Sequence, residues 1–183
     1  MPVDVGLLER ISTQLAEPSK AAKEAGESKS FLAAAADSYA ARPTDEDEVT
    51  QPTGFDPEAA ALFEAVVESA FLVATSDGVF DETERATFSQ IVHVACGRAV
   101  SEQGIQALLL DLEDQVKEDG VDRRVDMIGR TIRRPAQAYE ALRVAALLAI
   151  LARSLGSCTW TPRKSISLNS ETSIATAPSS RIV

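Results

Sequence analysis

The sequence predicts an all-α fold, a compact bundle of about five helices, on three observations. Between residues 55 and 156 apolar residues recur at intervals of three and four, as on one face of a helix, and no alternating strand pattern appears. Residues that favour helix starts and helix stops fall at the ends of these patterns. The links between the patterns are short, which favours a bundle of neighbouring helices. With 183 residues, 45% of them apolar, the chain can form one domain with a hydrophobic core.

The first helix of this domain is predicted to begin after Asp56. Asp56, Pro57 and Glu58 have the order of an N-cap, a proline at the first helical position and an acid in the first turn. We expect the helix to stop at Gly78, since glycine is common just past a helix end. Its predicted buried stripe is Ala59, Leu62, Phe63, Val66, Val67, Ala70 and Ala74.

The second helix is predicted to open at Asp81. Glu84 follows three residues later, so the pair forms an Asp variant of the capping box. The helix should end before Gly97. Its predicted buried stripe is Phe88, Ile91, Val92 and Ala95.

Three more helices complete the predicted bundle. Ser101 caps the third, which ends at Gly120. Pro135 starts the fifth, whose most apolar part, residues 144–152, is far shorter than the ~20 residues of a membrane span. We interpret it as a buried core helix. The apolar positions of the third helix are Ile105, Leu108, Leu109, Leu112 and Val116, those of the fourth are Val121, Val125, Ile128 and Ile132, and those of the fifth include Leu142, Ala145, Ala146, Leu148 and Ala149.

The segments on either side of the bundle differ in composition. Residues 1–41 are rich in Ala, Glu and Lys and are predicted to be weakly helical with little to bury, and residues 42–54 contain two prolines and an acidic run typical of a linker. Residues 1–54 are thus an N-terminal extension, and the domain spans 55–156. The tail, 157–183, is Ser/Thr-rich, lacks helix periodicity and is predicted to be disordered.

Two interpretations of this tail stay open: a natural truncation and a frameshift. The codons of Trp160 and Thr161 contain an Asp codon in the frame that begins one base early. In that frame the Lys164 codon gives Glu, Gln or Lys three residues later, the spacing from Asp81 to Glu84. Sequencing the gene distinguishes the two.

The composition excludes some classes of partner. The formal net charge is −10, which disfavours nucleic acid because phosphate binding depends on Lys and Arg. Cations and basic proteins are the expected partners. Cys96 and Cys158 lie far apart without metal-ligand spacing, which fits a reducing compartment. The N-terminus has no basic segment followed by an apolar one, so we expect a cytoplasmic protein without a signal peptide.

The acidic loop between the first two predicted helices is the candidate functional site. Asp77, Asp81 and Glu84, with Gly78 supplying the turn, offer the oxygen ligands that Ca²⁺ or another divalent cation requires. The loop lacks the full EF-hand pattern. The alternative is purely structural, because acids at 81 and 84 also cap a helix and favour its N-terminal dipole.

The residues from Ala74 through Glu84 resemble the signature of the TerB family of tellurite-resistance proteins. In that signature an apolar helix ends in Ala-x-x-Asp-Gly, followed by a hydrophobic residue, an acid and a Glu that opens the next helix. The resemblance covers about residues 56–156. It implies two related helical halves with acidic Asp-Gly loops associated with divalent metal. It also implies a role in bacterial stress resistance, with calcium-binding partner proteins at the inner face of the membrane, and no enzymatic activity.

The chain departs from this pattern where the Ser/Thr tail replaces the second acidic loop. A helical protein-interaction adaptor without a metal site is therefore the alternative function. Catalysis is disfavoured because no nucleophile has an evident base near it in the sequence, and this includes the pair His93 and Cys96.

Two charged clusters lie outside the acidic loop. A basic band is predicted to be a solvated face or a docking site, and it consists of Arg123, Arg124, Arg130, Arg133 and Arg134. An acidic cluster is predicted as an exposed helix face: Glu113, Asp114, Glu118 and Asp119.

Overall fold

The fold is all-α, as predicted, and every element among the described residues is a helix. A computed structural model describes residues 5–24, 26, 28–42, 54–76, 78 and 80–155. The acidic run of the linker and the predicted disordered tail lie outside these residues. The eight helices are α1 (Val5–Ala16), α2 (Lys20–Glu24), α3 (Phe31–Ala40), α4 (Pro57–Ala74), α5 (Glu82–Ala95), α6 (Glu102–Asp119), α7 (Val121–Thr131) and α8 (Pro135–Leu155).

Helices α4 to α8 are the five predicted ones, and α4 lies at the centre of the molecule. It packs against α3, α6, α7 and α8, and its pairing with α8 is the most extensive contact between two helices in the described structure. Phe63, Val66 and Val67 are completely buried. A helix with neighbours on several sides must be apolar around most of its circumference, which explains why ten of its residues are buried.

The N-terminal helices contribute to the same core, and the expectation that residues 1–41 bury little was wrong. Leu15 of α1 and Leu32 of α3 are 0% and 2% exposed. Helix α1 packs on α5 and α8, and α3 packs on α4. The ring of Tyr39 lies 4.8 Å from that of Phe63. The packing of α3 on α4 was not predicted because α3 is rich in alanine. Small side chains give a weak hydrophobic pattern in the sequence, yet they allow two helices to approach closely.

The predicted helix starts are confirmed in atomic detail. Asp56 Oδ1 accepts hydrogen bonds from the backbone N–H groups of Glu58 and Ala59, at 2.9 and 3.4 Å. Ser101 Oγ accepts one from Gly104 N–H at 3.1 Å. These side-chain acceptors satisfy amides that have no partner within the helix.

The end of α4 differs from the prediction. The helix stops at Ala74, and Gly78, with φ 103°, lies four residues further on. Thr75 Oγ1 donates to the carbonyl of Phe71 at 3.0 Å and Ser76 Oγ to that of Val73 at 2.7 Å. Because these hydroxyls satisfy carbonyl groups of the last turn, the helix ends before the glycine is reached.

The C-terminal helices expose apolar surface that was predicted to be buried. Val121 and Val125 of α7 are each 53% exposed, and Leu142 of α8 is 69% exposed, although Val144 and Leu148 pack in the core. The interpretation of residues 144–152 as a buried core helix was therefore wrong for the outward face, where Ile150 is 54% exposed. No helix in the described part of the chain is both long and apolar enough to cross a bilayer.

Candidate functional site

The acidic loop joins α4 to α5, and the structure describes two of its three predicted ligands. Asp81 Oδ1 accepts a hydrogen bond from Glu84 N–H at 2.8 Å, and Glu84 Oε2 accepts one from Asp81 N–H at 3.2 Å. This is the predicted capping box. Asp77, the third predicted ligand, lies outside the described residues.

The capping contacts bear on cation binding because each of these carboxylates directs one oxygen to a backbone amide. Because a carboxylate offers about four lone-pair sites, a carboxylate that caps a helix can also ligate a metal. Among the residues that the structure describes, no three His, Cys, Asp or Glu side chains form a group that could hold a metal. That set omits Asp77, and the site at Asp77, Asp81 and Glu84 stays a prediction.

Phe80, in the loop between α4 and α5, is part of an aromatic cluster. The ring of Phe80 makes edge contacts with Phe71 and Phe88, with centroids 5.5 and 5.9 Å away. The guanidinium of Arg85 lies 5.6 Å from the centre of the Phe80 ring. A cavity of about 200 Å³ opens between these side chains and Gly78. Phe80 is thus held in place by ring contacts with both α4 and α5.

The predicted acidic cluster on α6 is partly neutralised by this packing. Glu113 accepts a hydrogen bond from Arg85 Nη2 at 2.7 Å and pairs with Lys117 at 3.2 Å. The hydrogen bonds from Arg85 and then Lys117 hold the pKa of Glu113 below its ordinary value. Glu113 therefore links α6 to α5, which a freely solvated acid would not do.

A buried ion pair fixes α7 to α4. Arg124 is the only buried residue of α7, and both its Nε and Nη2 donate to the carboxylate of Glu68, with Nη2 to Oε2 at 2.9 Å. Nη1 lies 3.4 Å from Asp119 Oδ2. The hydrogen bond to Glu68 raises the pKa of Arg124, so the guanidinium keeps its charge. Sequence reasoning missed Glu68, whose signal is a single acid between Val67 and Ala70 on an apolar helix.

This pair changes the interpretation of the predicted basic band. Arg124 is 8% exposed and points into the protein, whereas the other four arginines are exposed. Arg123 pairs with Asp119 at 3.4 Å, and Arg133 Nε donates to the carbonyl of Arg130 at 3.0 Å. The solvated basic surface therefore consists of Arg123, Arg130, Arg133 and Arg134.

The outward surface of α7 combines apolar and charged side chains. Val121 and Val125 follow one another at a spacing of four on one face, and the charged residues Asp122 and Asp126, both exposed, lie beside them. Helix α7 is thus anchored by one buried charge and leaves two of its apolar side chains half exposed to water.

The contact that the structure describes for His93 and the burial of Cys96 indicate structural roles for both side chains. Nδ1 of His93 lies 2.7 Å from the carbonyl oxygen of Val100, which can only accept, so Nδ1 carries a proton. Burial raises the pKa of the Cys96 thiol to about 12. Because the thiolate is the nucleophilic form, Cys96 is unreactive near neutral pH.

Comparison with known proteins adds no relative. No family model matches the chain, and no curated protein or solved structure matches it significantly. The resemblance to the TerB signature therefore stays a prediction that depends on the loop and helix pattern described above.

Proposed function

We propose that this chain is a non-enzymatic, TerB-like helical domain that binds protein partners through α7. The observation that carries the proposal is the exposed apolar surface of an anchored helix: Arg124 is buried and Val121 and Val125 are each 53% exposed. The TerB resemblance supplies the setting, a bacterial stress-resistance complex assembled in the cytoplasm at the inner face of the membrane.

Energetics support α7 as a contact surface. Fully burying a valine is favourable by about 1.5 kcal/mol or more, so covering the exposed halves of two valines contributes roughly 1–2 kcal/mol. The Arg124–Glu68 pair holds the helix in place, so a partner need not order it on binding. Asp122, Asp126 and Arg123 surround the valines with both signs of charge, and charged surroundings favour specificity and association rate more than affinity.

Site-specific photo-crosslinking in the source cells tests this proposal. A photoreactive residue at Val125 should give a discrete protein adduct, and the same residue at Leu110 should not. Leu110 is a matched control, since it is apolar, 54% exposed and on α6. A second substitution, Val121→Asp, should abolish the Val125 adduct. Equal adduct patterns from the two positions would overturn the assignment of α7 as the partner surface.

A second candidate function is divalent-cation binding at the α4–α5 loop. Its support is the exposure of the predicted ligand Asp81, three residues after Gly78, whose φ of 103° lies at the turn. Ca²⁺ is the first ion to test. An ion that binds only the folded protein must raise the melting temperature as its concentration rises.

The matched variant for this test is Asp77→Asn, which changes no residue of the capping box. Calcium should raise the melting temperature of the unmodified chain and leave that of Asp77→Asn unchanged. If calcium, magnesium and manganese all fail to shift the melting temperature at millimolar concentration, the cation function is excluded and the interaction function stands alone.

A further inference from the structure

The outward face of α8 carries no charge over four helical turns. From residue 135 to 150 every exposed side chain described is uncharged, and Tyr139 is the one among them with a polar group. The polar residues in this span turn toward their own chain: Gln137 accepts from the backbone N–H of Arg134 at 3.2 Å, and Glu140 is 5% exposed and pairs with Arg143 at 2.8 Å. The exposed residues are Pro135, Ala136, Ala138, Tyr139, Leu142, Ala146 and Ile150.

The opposite face of the same helix lies in the core, where Val144, Ala145 and Leu148 are at most 3% exposed. A helix that is apolar on both faces is typical of one that is covered on both sides. Surfaces of this kind on a soluble protein mark contacts with another molecule.

We infer that this face pairs with the α8 of a second copy of the chain, antiparallel, about a two-fold axis at the level of residue 144. In that register Leu142 of each copy lies opposite Ala146 of the other. Ile150 lies opposite Ala138 by the same symmetry. Each large side chain thus meets a small one, as a self-complementary two-fold interface requires.

Charge restricts the surface through which a second copy can bind. The formal net charge of −10 on each chain opposes self-association, so the contact must lie on a surface free of carboxylates. The α8 face meets that condition. The Ser/Thr-rich segment that follows α8 lacks the apolar periodicity needed to fill the face.

The area predicts a weak, reversible dimer. Tyr139, Leu142 and Ile150 are 62%, 69% and 54% exposed. With about 150–250 Å² for a large side chain such as Tyr139, the exposed parts of these three residues offer roughly 300 Å² per copy. With the alanines and Pro135 added, the two copies together bury about 1,000 Å². That is the lower limit for a specific interface, so the dimer should dissociate on dilution through the micromolar range.

Sedimentation equilibrium of the full chain under reducing conditions tests the inference. The unmodified chain should pass from monomer to dimer as its concentration rises through the micromolar range. Leu142→Asp should remain monomeric, and the matched Leu110→Asp, on an exposed residue of α6, should dimerise as the unmodified chain does. Circular dichroism melting establishes that the variants fold.

A further variant distinguishes the specific antiparallel pairing from nonspecific hydrophobic association. Ala146→Leu enlarges the residue opposite Leu142, so it should weaken the specific dimer at least tenfold. Nonspecific association of the apolar face would instead become stronger. An unmodified chain that is monomeric throughout, a Leu142→Asp variant that still dimerises, or stronger association of Ala146→Leu would each overturn the inference.

Discussion

Substitution of Arg124 by methionine should destabilise the fold more than any surface change on α7. The variant leaves the carboxylate of Glu68, 4% exposed, without the guanidinium that donates two hydrogen bonds to it. Removing one partner of a buried ion pair typically costs about 3–5 kcal/mol, a large part of the 5–15 kcal/mol that keeps a domain folded. With a urea slope of about 2 kcal/mol per molar, the unfolding midpoint should fall by about 2 M.

Substitution of the partner residue, Glu68→Met, should lower the free energy of unfolding by less than Arg124→Met does. Arg124 keeps Asp119 Oδ2 at 3.4 Å and has a long side chain that can reach water. The double variant should recover most of the loss, because two apolar side chains leave no buried charge.

Urea denaturation followed by circular dichroism measures all three variants, with Arg123→Met as the matched control. Arg123 is 71% exposed and pairs with the same Asp119, so its loss should change the free energy of unfolding by less than about 1 kcal/mol. The reasoning fails if Arg124→Met costs no more than this control, or if the double variant costs the sum of the two single ones.

Three further predictions concern the cap, the N-terminal helices and the buried thiol. Asp81→Ala should lower stability by about 1 kcal/mol through loss of the N-cap, and an unchanged melting temperature would show that the capping box contributes nothing. Leu15→Ala should cost about 2–5 kcal/mol because Leu15 is fully buried, and no loss in urea denaturation would mean that α1 is not docked in solution. In a Cys158→Ser background, Cys96, whose pKa is raised to about 12, should be about one part in ten thousand thiolate at pH 8 and react with a thiol reagent only after denaturation. Reaction in the folded state at the rate of a free thiol would contradict that burial.

The features that were predictable from the sequence are those set by neighbours along the chain. The caps at Asp56, Asp81 and Ser101 each depend on residues within three positions, and the structure confirms all three. The buried stripe of α5 is also correct, because its apolar positions recur at the helical spacing of three and four residues.

The features that were missed depend on contacts between distant residues. Glu68 and Arg124 are 56 positions apart, and no local pattern pairs them. Periodicity identified the apolar face of α7 correctly, but it cannot tell whether another helix covers that face. The role of α3 was missed for the opposite reason, since alanines pack closely without a strong hydrophobic signal.

In the candidate site, too, the local features were predictable from the sequence and the long-range arrangement was not. The capping box at Asp81 and Glu84 is local and was predictable, whereas the convergence of three carboxylates on an ion depends on the path of the loop between α4 and α5. Both functions offered by the sequence, cation binding and partner docking, therefore need the measurements proposed above.

The contact between Arg143 and α1 has a consequence for synthesis on the ribosome. The Arg143 guanidinium donates to the carbonyls of Gln14 at 2.6 Å and Glu17 at 3.2 Å, at the end of α1, across 129 and 126 positions of the chain. At 5–20 residues per second, roughly 6–25 s pass between the synthesis of the end of α1 and the synthesis of Arg143, which caps it. Until then the apolar side of α1, including Leu15, is without its final cover, and a chaperone that binds nascent chains would find its target there.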